Sequence, residues 1–352
     1  MADAKKTDSA KKRTKKLAKR RAKLAELTAE IAALEAELGE EAPEVEEGLS
    51  PLAPDGFPDL PAVAGVRLAT AAAEVKYTGR TDVMLAELAP GTAMAGSFTR
   101  SETRAAPVLW CQEKLPELAE KAGTGRRKLG ILVNSGNANA FTGSNGMTAV
   151  AEIATATAKA LGTANGHVLM ASTGVIGEPL PSDRITGVLG TLINDLGADG
   201  FEAAARAIMT TDTYPKGAGL TVELDGAPVA ISGIAKGSGM IAPDMATMLV
   251  FIFTDCAIAQ PLLQATVARL TGSTFNAITV DSDTSTSDTL LVAATGKAPM
   301  PPILSRRDRR FAAFEAGLAE VMRDLALLVV RDGEGASKLV EITVSGAKTD
   351  RA

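Results

Sequence analysis

The chain has 352 residues, 46% of them hydrophobic and 22% charged, with a net charge of −5; this is the balance of an ordinary globular protein and gives its body no electrostatic footprint for nucleic acid. Two cysteines, Cys111 and Cys256, exclude a disulfide framework and fit a reducing cytoplasm, and the single histidine, His167, removes most Ser-His-Asp and His-rich zinc schemes. No membrane span is expected, because the most apolar region is interrupted by Asp244 and Asp255, and the first residues lack the apolar core of a secretory leader.

In chain order, residues 1–47 stand apart as a charged extension. A basic block from Lys5 to Lys23 precedes an acidic one from Glu26 to Glu47. Leu17, Leu24, Leu27, Ile31, Leu34 and Leu38 fall mainly at alternating three- and four-residue spacings, an a/d seam over about three heptads. Such a short helix is marginal alone in water, so it reads either as a self-associating coiled coil or as a solvated, partly helical arm. Residues 48–61, including the proline-rich SPLAPDGFPDLP, read as a linker. Beyond it β-rich runs alternate with helical ones. Met147–Leu161 is an alanine-rich helix, and His167 is a polar residue at the edge of the strand that follows. Leu220–Glu223 and Val229–Ile234 flank Asp225-Gly226 as a hairpin. Thr247–Phe253 is a buried strand, Phe311–Val330 a long helix and Val340–Val344 a final strand. The pattern is mixed α/β without regular βαβ spacing, which disfavours a Rossmann sheet.

The stretch Lys236–Leu249, KGSGMIAPDMATML, carries the most chemistry. Two glycines and Pro243 imply an irregular loop before Thr247, and Ala246 in front of it is small. A threonine hydroxyl needs a base; cleavage of the Ala246–Thr247 bond would free an α-amine to act as one. From local spacing alone, a threonine opening a strand usually reads as β-propensity and packing. Two other patterns are decoys: NSGNANAFTG lacks the Gly-Lys-Ser/Thr of a phosphate loop, and Asp281-Ser-Asp283-Thr-Ser285 lacks the turn glycine and bidentate glutamate of a calcium loop.

Six motifs together go further: LVNSGNANAFTG, ASTGVIGEPL, AIMTTDTYPK, KGSGMIAPDMATML, ITVDSDTSTSDTL and RDGEGASK. Their order and spacing, from about Ser50 to about Ala347, resemble the ornithine acetyltransferase (glutamate N-acetyltransferase, ArgJ) family of arginine biosynthesis. The resemblance implies layered sheets between helices, like the N-terminal-nucleophile hydrolases but differently connected. It also implies self-cleavage between Ala246 and Thr247 into fragments 1–246 and 247–352, with 62–246 forming the acetyltransferase part of the first. Thr247 is then the nucleophile, Thr173 and Gly174 form the oxyanion hole, and Thr210, Lys236, Thr247 and Glu334 contact substrate. Lys236 suits an α-carboxylate and Glu334 a side-chain ammonium; the adjacent Thr211 competes with Thr210 for its role.

By the same resemblance the acetyl group moves from N2-acetylornithine to glutamate, with no cofactor and no metal, and acetyl-CoA is a possible further donor. The expected partners are these small molecules and the chain's own fragments, two of each in a heterotetramer. The family continues past the strand at Val340–Val344 with a segment that supplies an asparagine and a threonine to the pocket. No counterpart is present in this sequence, so cleavage is expected to survive better than transfer. The alternatives are a self-cleaving amidase or aminopeptidase with water as acceptor, and a truncated paralogue acting as an interaction protein.

Overall fold

The computed structural model of the chain describes residue 23 and residues 48–242 and 248–346. The heptad seam of residues 1–47 lies outside the described residues, as do Ala246 and Thr247. The chain divides into two units, Met1–Gly48 and Leu49–Ala352, and the fold is that of the second.

Nine strands among the described residues form two sheets. The first contains β1 (Val66–Ala71), β2 (Val83–Leu88), β4 (Leu129–Asn134) and β5 (Val168–Ser172), in the order β1-β2-β4-β5. The second contains β3 (Ala93–Phe98), β6 (Lys216–Leu224), β7 (Ala227–Lys236), β8 (Leu249–Thr254) and β9 (Thr289–Ala294), in the order β3-β9-β8-β7-β6. Pairing is antiparallel except for β4 with β5 and β8 with β9. Each parallel pair is joined through a helix, as a parallel crossover requires: α2 (Gly143–Leu161) bridges β4 to β5 and α6 (Gln260–Ser273) bridges β8 to β9. The remaining helices are α1 (Ala106–Glu120), the short α3 (Ser182–Gly187), α4 (Leu189–Asn194) and α5 (Phe201–Ala207), and the long α7 (Phe311–Arg331). None is long and apolar enough to cross a membrane.

The apolar run at β8 shows how the sequence builds the layers. Leu249, Phe251 and Phe253 enter the core shared with the first sheet and α1–α5, where Phe253 meets Phe201 edge-on at 6.0 Å. Val250 and Ile252 face the opposite way, into a second core with α6 and α7. A strand covered on both faces loses polar alternation, so the sequence reads as continuously apolar. The layering is therefore helices, sheet, sheet, helices, the α/β class expected from the sequence.

The Asp225-Gly226 hairpin is present, both residues having positive φ (56° and 81°) as a two-residue turn of this hand demands. Two expectations are corrected. Val340–Val344 is not a strand: it finds no ladder partner among the described residues, and Val340, Ile342 and Val344 are exposed. Alternation supplies only one face of a strand; the hydrogen-bonding neighbour must come from elsewhere. Nor is the proline-rich segment a free linker. Phe57 packs against Gly217 and Leu60 against Gly219 on β6, and Ser232 Oγ donates to the Pro61 carbonyl (2.6 Å).

Candidate active site

The carboxyl ends of β4 and β5 lie side by side and release the NSGNA and STG loops together. Ser172 Oγ donates to Asn134 Oδ1 (2.6 Å), Asn134 Nδ2 to the Asn137 carbonyl (2.9 Å), and Asn137 bridges to Thr173 and Val175. The Thr173 N–H donates to the Asn134 carbonyl (3.1 Å), so that amide is engaged in the loop and only its hydroxyl faces onward. Gly174 has φ +125°, and its N–H has no acceptor among the described residues. A Cβ there would stand 2.4 Å from the Gly136 carbonyl carbon, so the close approach of two backbones admits only glycine.

Lys236 ends β7, opposite Leu249 on β8, and is 2% exposed. Its Nζ donates to Thr210 Oγ1 (2.7 Å) and Thr173 Oγ1 (3.3 Å) and stands 3.9 Å from Asp212 Oδ2. An ammonium has three donors, and these two hydroxyls are its hydrogen-bond acceptors among the described residues. The third donor has no acceptor among the described residues. Because Thr173 Oγ1 accepts from Lys236, its own proton is directed elsewhere, the arrangement needed to donate to an oxyanion. Burial lowers the Lys236 pKa, and Asp212 only partly opposes it.

Thr210 is fixed by its backbone N–H, which donates to Asp212 Oδ2 (3.0 Å); its neighbour Thr211 is exposed. The exposed Glu334 is tied in through its N–H, which donates to the Ser238 carbonyl (3.1 Å), and its carboxylate lies where a side chain on Gly239 would be, 2.6 Å from that Cβ position. Thus Thr173, Gly174, Thr210 and Lys236 converge, with Glu334 on the adjoining loop. For Thr247 the described residues give only the flank: Met248 is buried, and its N–H donates to Asp288 Oδ1 (3.0 Å). His167 lies in the short turn before β5. Among the described residues no group of three or more His, Cys, Asp or Glu is placed to hold a metal ion.

Four residues escaped sequence reasoning. Asp212, Lys216 and Asp332 form a buried ionic cluster beneath Lys236. Asp288 is fully buried, its Oδ1 accepts the Met248 N–H (3.0 Å), and the Ser285 and Thr99 hydroxyls lie beside it. The signal available was a charged residue directly bordering an apolar run, Asp288 before TLLVAA and Asp332 after the α7 stripe.

Burial pushes the Asp288 carboxyl well above the usual range, against the Met248 N–H and the Lys236 charge. Its folded pKa is raised, so its stabilising contribution is present below the unfolded value of about 3.9 and is lost as pH rises through the folded one. Asp288→Asn is expected to remove that loss. Melting curves at about pH 5 and about pH 8 should show the wild type losing Tm relative to the variant; a parallel decline in both proteins would exclude a protonated Asp288.

The ArgJ family's sequence model matches residues 67–352. The arginine biosynthesis bifunctional protein ArgJ of Ruegeria pomeroyi is 58% identical over 302 residues, covering 86% of this chain and 71% of the relative. Its counterpart from Bradyrhizobium diazoefficiens is 53% identical over 308 residues, covering 87% and 73%. Among solved structures, the ornithine acetyltransferase of Mycobacterium tuberculosis complexed with ornithine is 35% identical, covering 53% of this chain and 94% of its own, with a TM-score of 0.43. The chain belongs to the ArgJ family.

Proposed function

We propose that this chain is a self-processing acetyltransferase of arginine biosynthesis that carries acetyl from N2-acetylornithine to glutamate on Thr247. In the first half-reaction Thr247 Oγ attacks the acetyl carbonyl while its α-amine takes the hydroxyl proton. The Thr173 hydroxyl and the Gly174 N–H receive the oxyanion. Collapse passes the proton to the departing amine, releasing ornithine and leaving an acetyl ester on Thr247. The glutamate α-amine then attacks the ester, and N-acetylglutamate leaves as the Thr247 hydroxyl is restored. Lys236 offers its remaining donor to the substrate α-carboxylate, Thr210 holds Lys236, and Glu334 suits the side-chain ammonium of ornithine.

The observation that carries this reading is the buried Lys236 ammonium joining the Thr173 and Thr210 hydroxyls, in a chain whose relatives are named for arginine biosynthesis. The test is an intact mass under denaturing conditions followed by an acetyl-transfer assay. Fragments 1–246 and 247–352 with N-acetylglutamate as product are expected. Free acetate in place of N-acetylglutamate would make the chain an amidase, and processing with neither product would leave an interaction protein. Acetyl-CoA as a second donor is tested by N-acetylglutamate formation from acetyl-CoA and glutamate. Assembly as two copies of each fragment is tested by native mass.

A further inference from the structure

Lys216 belongs to no step of that reaction, yet it is the best-satisfied cation among the described residues. Its side chain is fully buried on β6, and its three donors reach Asp212 Oδ1 (2.7 Å), Asp332 Oδ2 (2.5 Å) and the Tyr214 carbonyl (3.3 Å). Two carboxylates around one ammonium leave a buried excess of negative charge. Lys236, 3.9 Å from Asp212, brings the cluster to neutrality. A buried ion cluster is a poor source of stability, since apolar residues of similar volume often serve as well. Its connections suggest a different use.

Asp212 holds backbone on two sides of the site. Its Oδ1 accepts the Gly237 N–H (2.6 Å), next to Lys236, and its Oδ2 accepts the Thr210 N–H (3.0 Å). Asp332 holds the third side. It accepts the Thr213 N–H (2.9 Å) and hydroxyl, and its carbonyl accepts from Ser238 Oγ (2.6 Å). Ser238 in turn receives the Glu334 N–H. The loops bearing Thr210, Lys236 and Glu334 therefore meet on one pair of carboxylates, with Lys216 between them.

We propose that Asp212 and Lys216 are positioning residues that set the place and the charge of the Lys236 ammonium, with Asp332 coupling them to the Glu334 loop. The proposal rests on the functional reading above only for the role of Lys236. Its electrostatic content is a pair of opposite signs. Asp212, Asp288 and Glu334 favour the charged form of Lys236, while burial and Lys216 oppose it. Neutralising Asp212 must make Lys236 easier to deprotonate. Neutralising Lys216 must make it harder, because a positive charge that opposes the Lys236 ammonium is removed while Asp212 stays beside it.

The test is the pH titration of the Lys236 side chain in the full-length protein, labelled with 13C and 15N lysine and assigned by the signal lost in Lys236→Met. Wild type should titrate below the ordinary lysine value of about 10.4. Asp212→Asn should move the midpoint down, and Lys216→Met up, by about 1–3 pH units each. Should Lys216→Met not fold by circular dichroism, Lys216→Gln makes the same test. Midpoints that stay put, or move in the same direction in both variants, overturn the proposal, because general loosening of the fold has no reason to split by sign. The same preparations are assayed for transfer. Opposite shifts in the two variants, with no transfer by the wild type, would reject the acetyltransferase reading and leave the coupling standing. Transfer without the shifts would do the reverse.

Discussion

Thr247→Ala is expected to give one full-length chain of 36.1 kDa in a denaturing mass spectrum, where the wild type is expected to give two fragments. In the proposed reaction both the cleavage and the transfer would use the same hydroxyl. For cleavage, Thr247 Oγ would attack the Ala246 carbonyl, the peptide nitrogen would leave as the new α-amine, and water would then release the Ala246 carboxylate from the ester. Alanine has no atom to begin either sequence. Transfer should fall to background, a loss on the order of 10⁶ in kcat as for deletion of other hydroxyl nucleophiles. Thr247→Ser keeps the oxygen and should keep both reactions at reduced rate. Two fragments from Thr247→Ala would assign the cleavage to another group or to a contaminating protease.

The second large effect is expected at Gly174. A methyl group there meets the Gly136 carbonyl carbon at 2.4 Å and the Asn137 nitrogen at 2.7 Å, both backbone atoms that cannot rotate aside, at a φ of +125°. Gly174→Ala must therefore shift the STG turn and turn its N–H away from the position of the oxyanion. Loss of one such donor is worth about 10²–10³ in kcat, or about 2.7–4 kcal/mol, and self-cleavage should slow with it. Thr173→Val separates the electronic contribution from the steric one. It keeps the side-chain volume and leaves the Thr173 N–H on Asn134, but removes the hydroxyl and with it an acceptor of the Lys236 ammonium, so a comparable fall in kcat accompanied by a rise in KM is expected. Full activity in Gly174→Ala would remove this turn from the reaction.

The hairpin at Asp225-Gly226, the α2 and α7 helices and the buried strand after Thr247 were legible because each is dictated locally, by turn stereochemistry or by periodicity. The glycine-marked loops were legible as a set of motifs, though not as a geometry. What local pattern could not supply was partnership across the chain. Lys216 and Asp332 are 116 positions apart and become a buried pair only through the fold, whereas a lysine after Tyr-Pro reads as surface. Local pattern also carries no sign that the Thr173 amide is engaged by the Asn134 carbonyl. Val340–Val344 failed for the converse reason: its alternation is correct, but a ladder is a property of two segments.

The order of the second sheet has a consequence for the cleaved protein. A break between Ala246 and Thr247 assigns β8 and β9 to one polypeptide and β3, β7 and β6 to the other. The newly cut piece is thus threaded through the middle of its sibling's sheet, with six residue pairs on its β3 seam and six on its β7 seam. Before the cut, refolding is a first-order search by one molecule. Afterwards it is an encounter between two, and neither has a complete sheet to offer the other. Recovery of a cleaved protein from denaturation should therefore depend on protein concentration, whereas the uncut Thr247→Ala chain, with nearly the same contacts, should return at a concentration-independent rate.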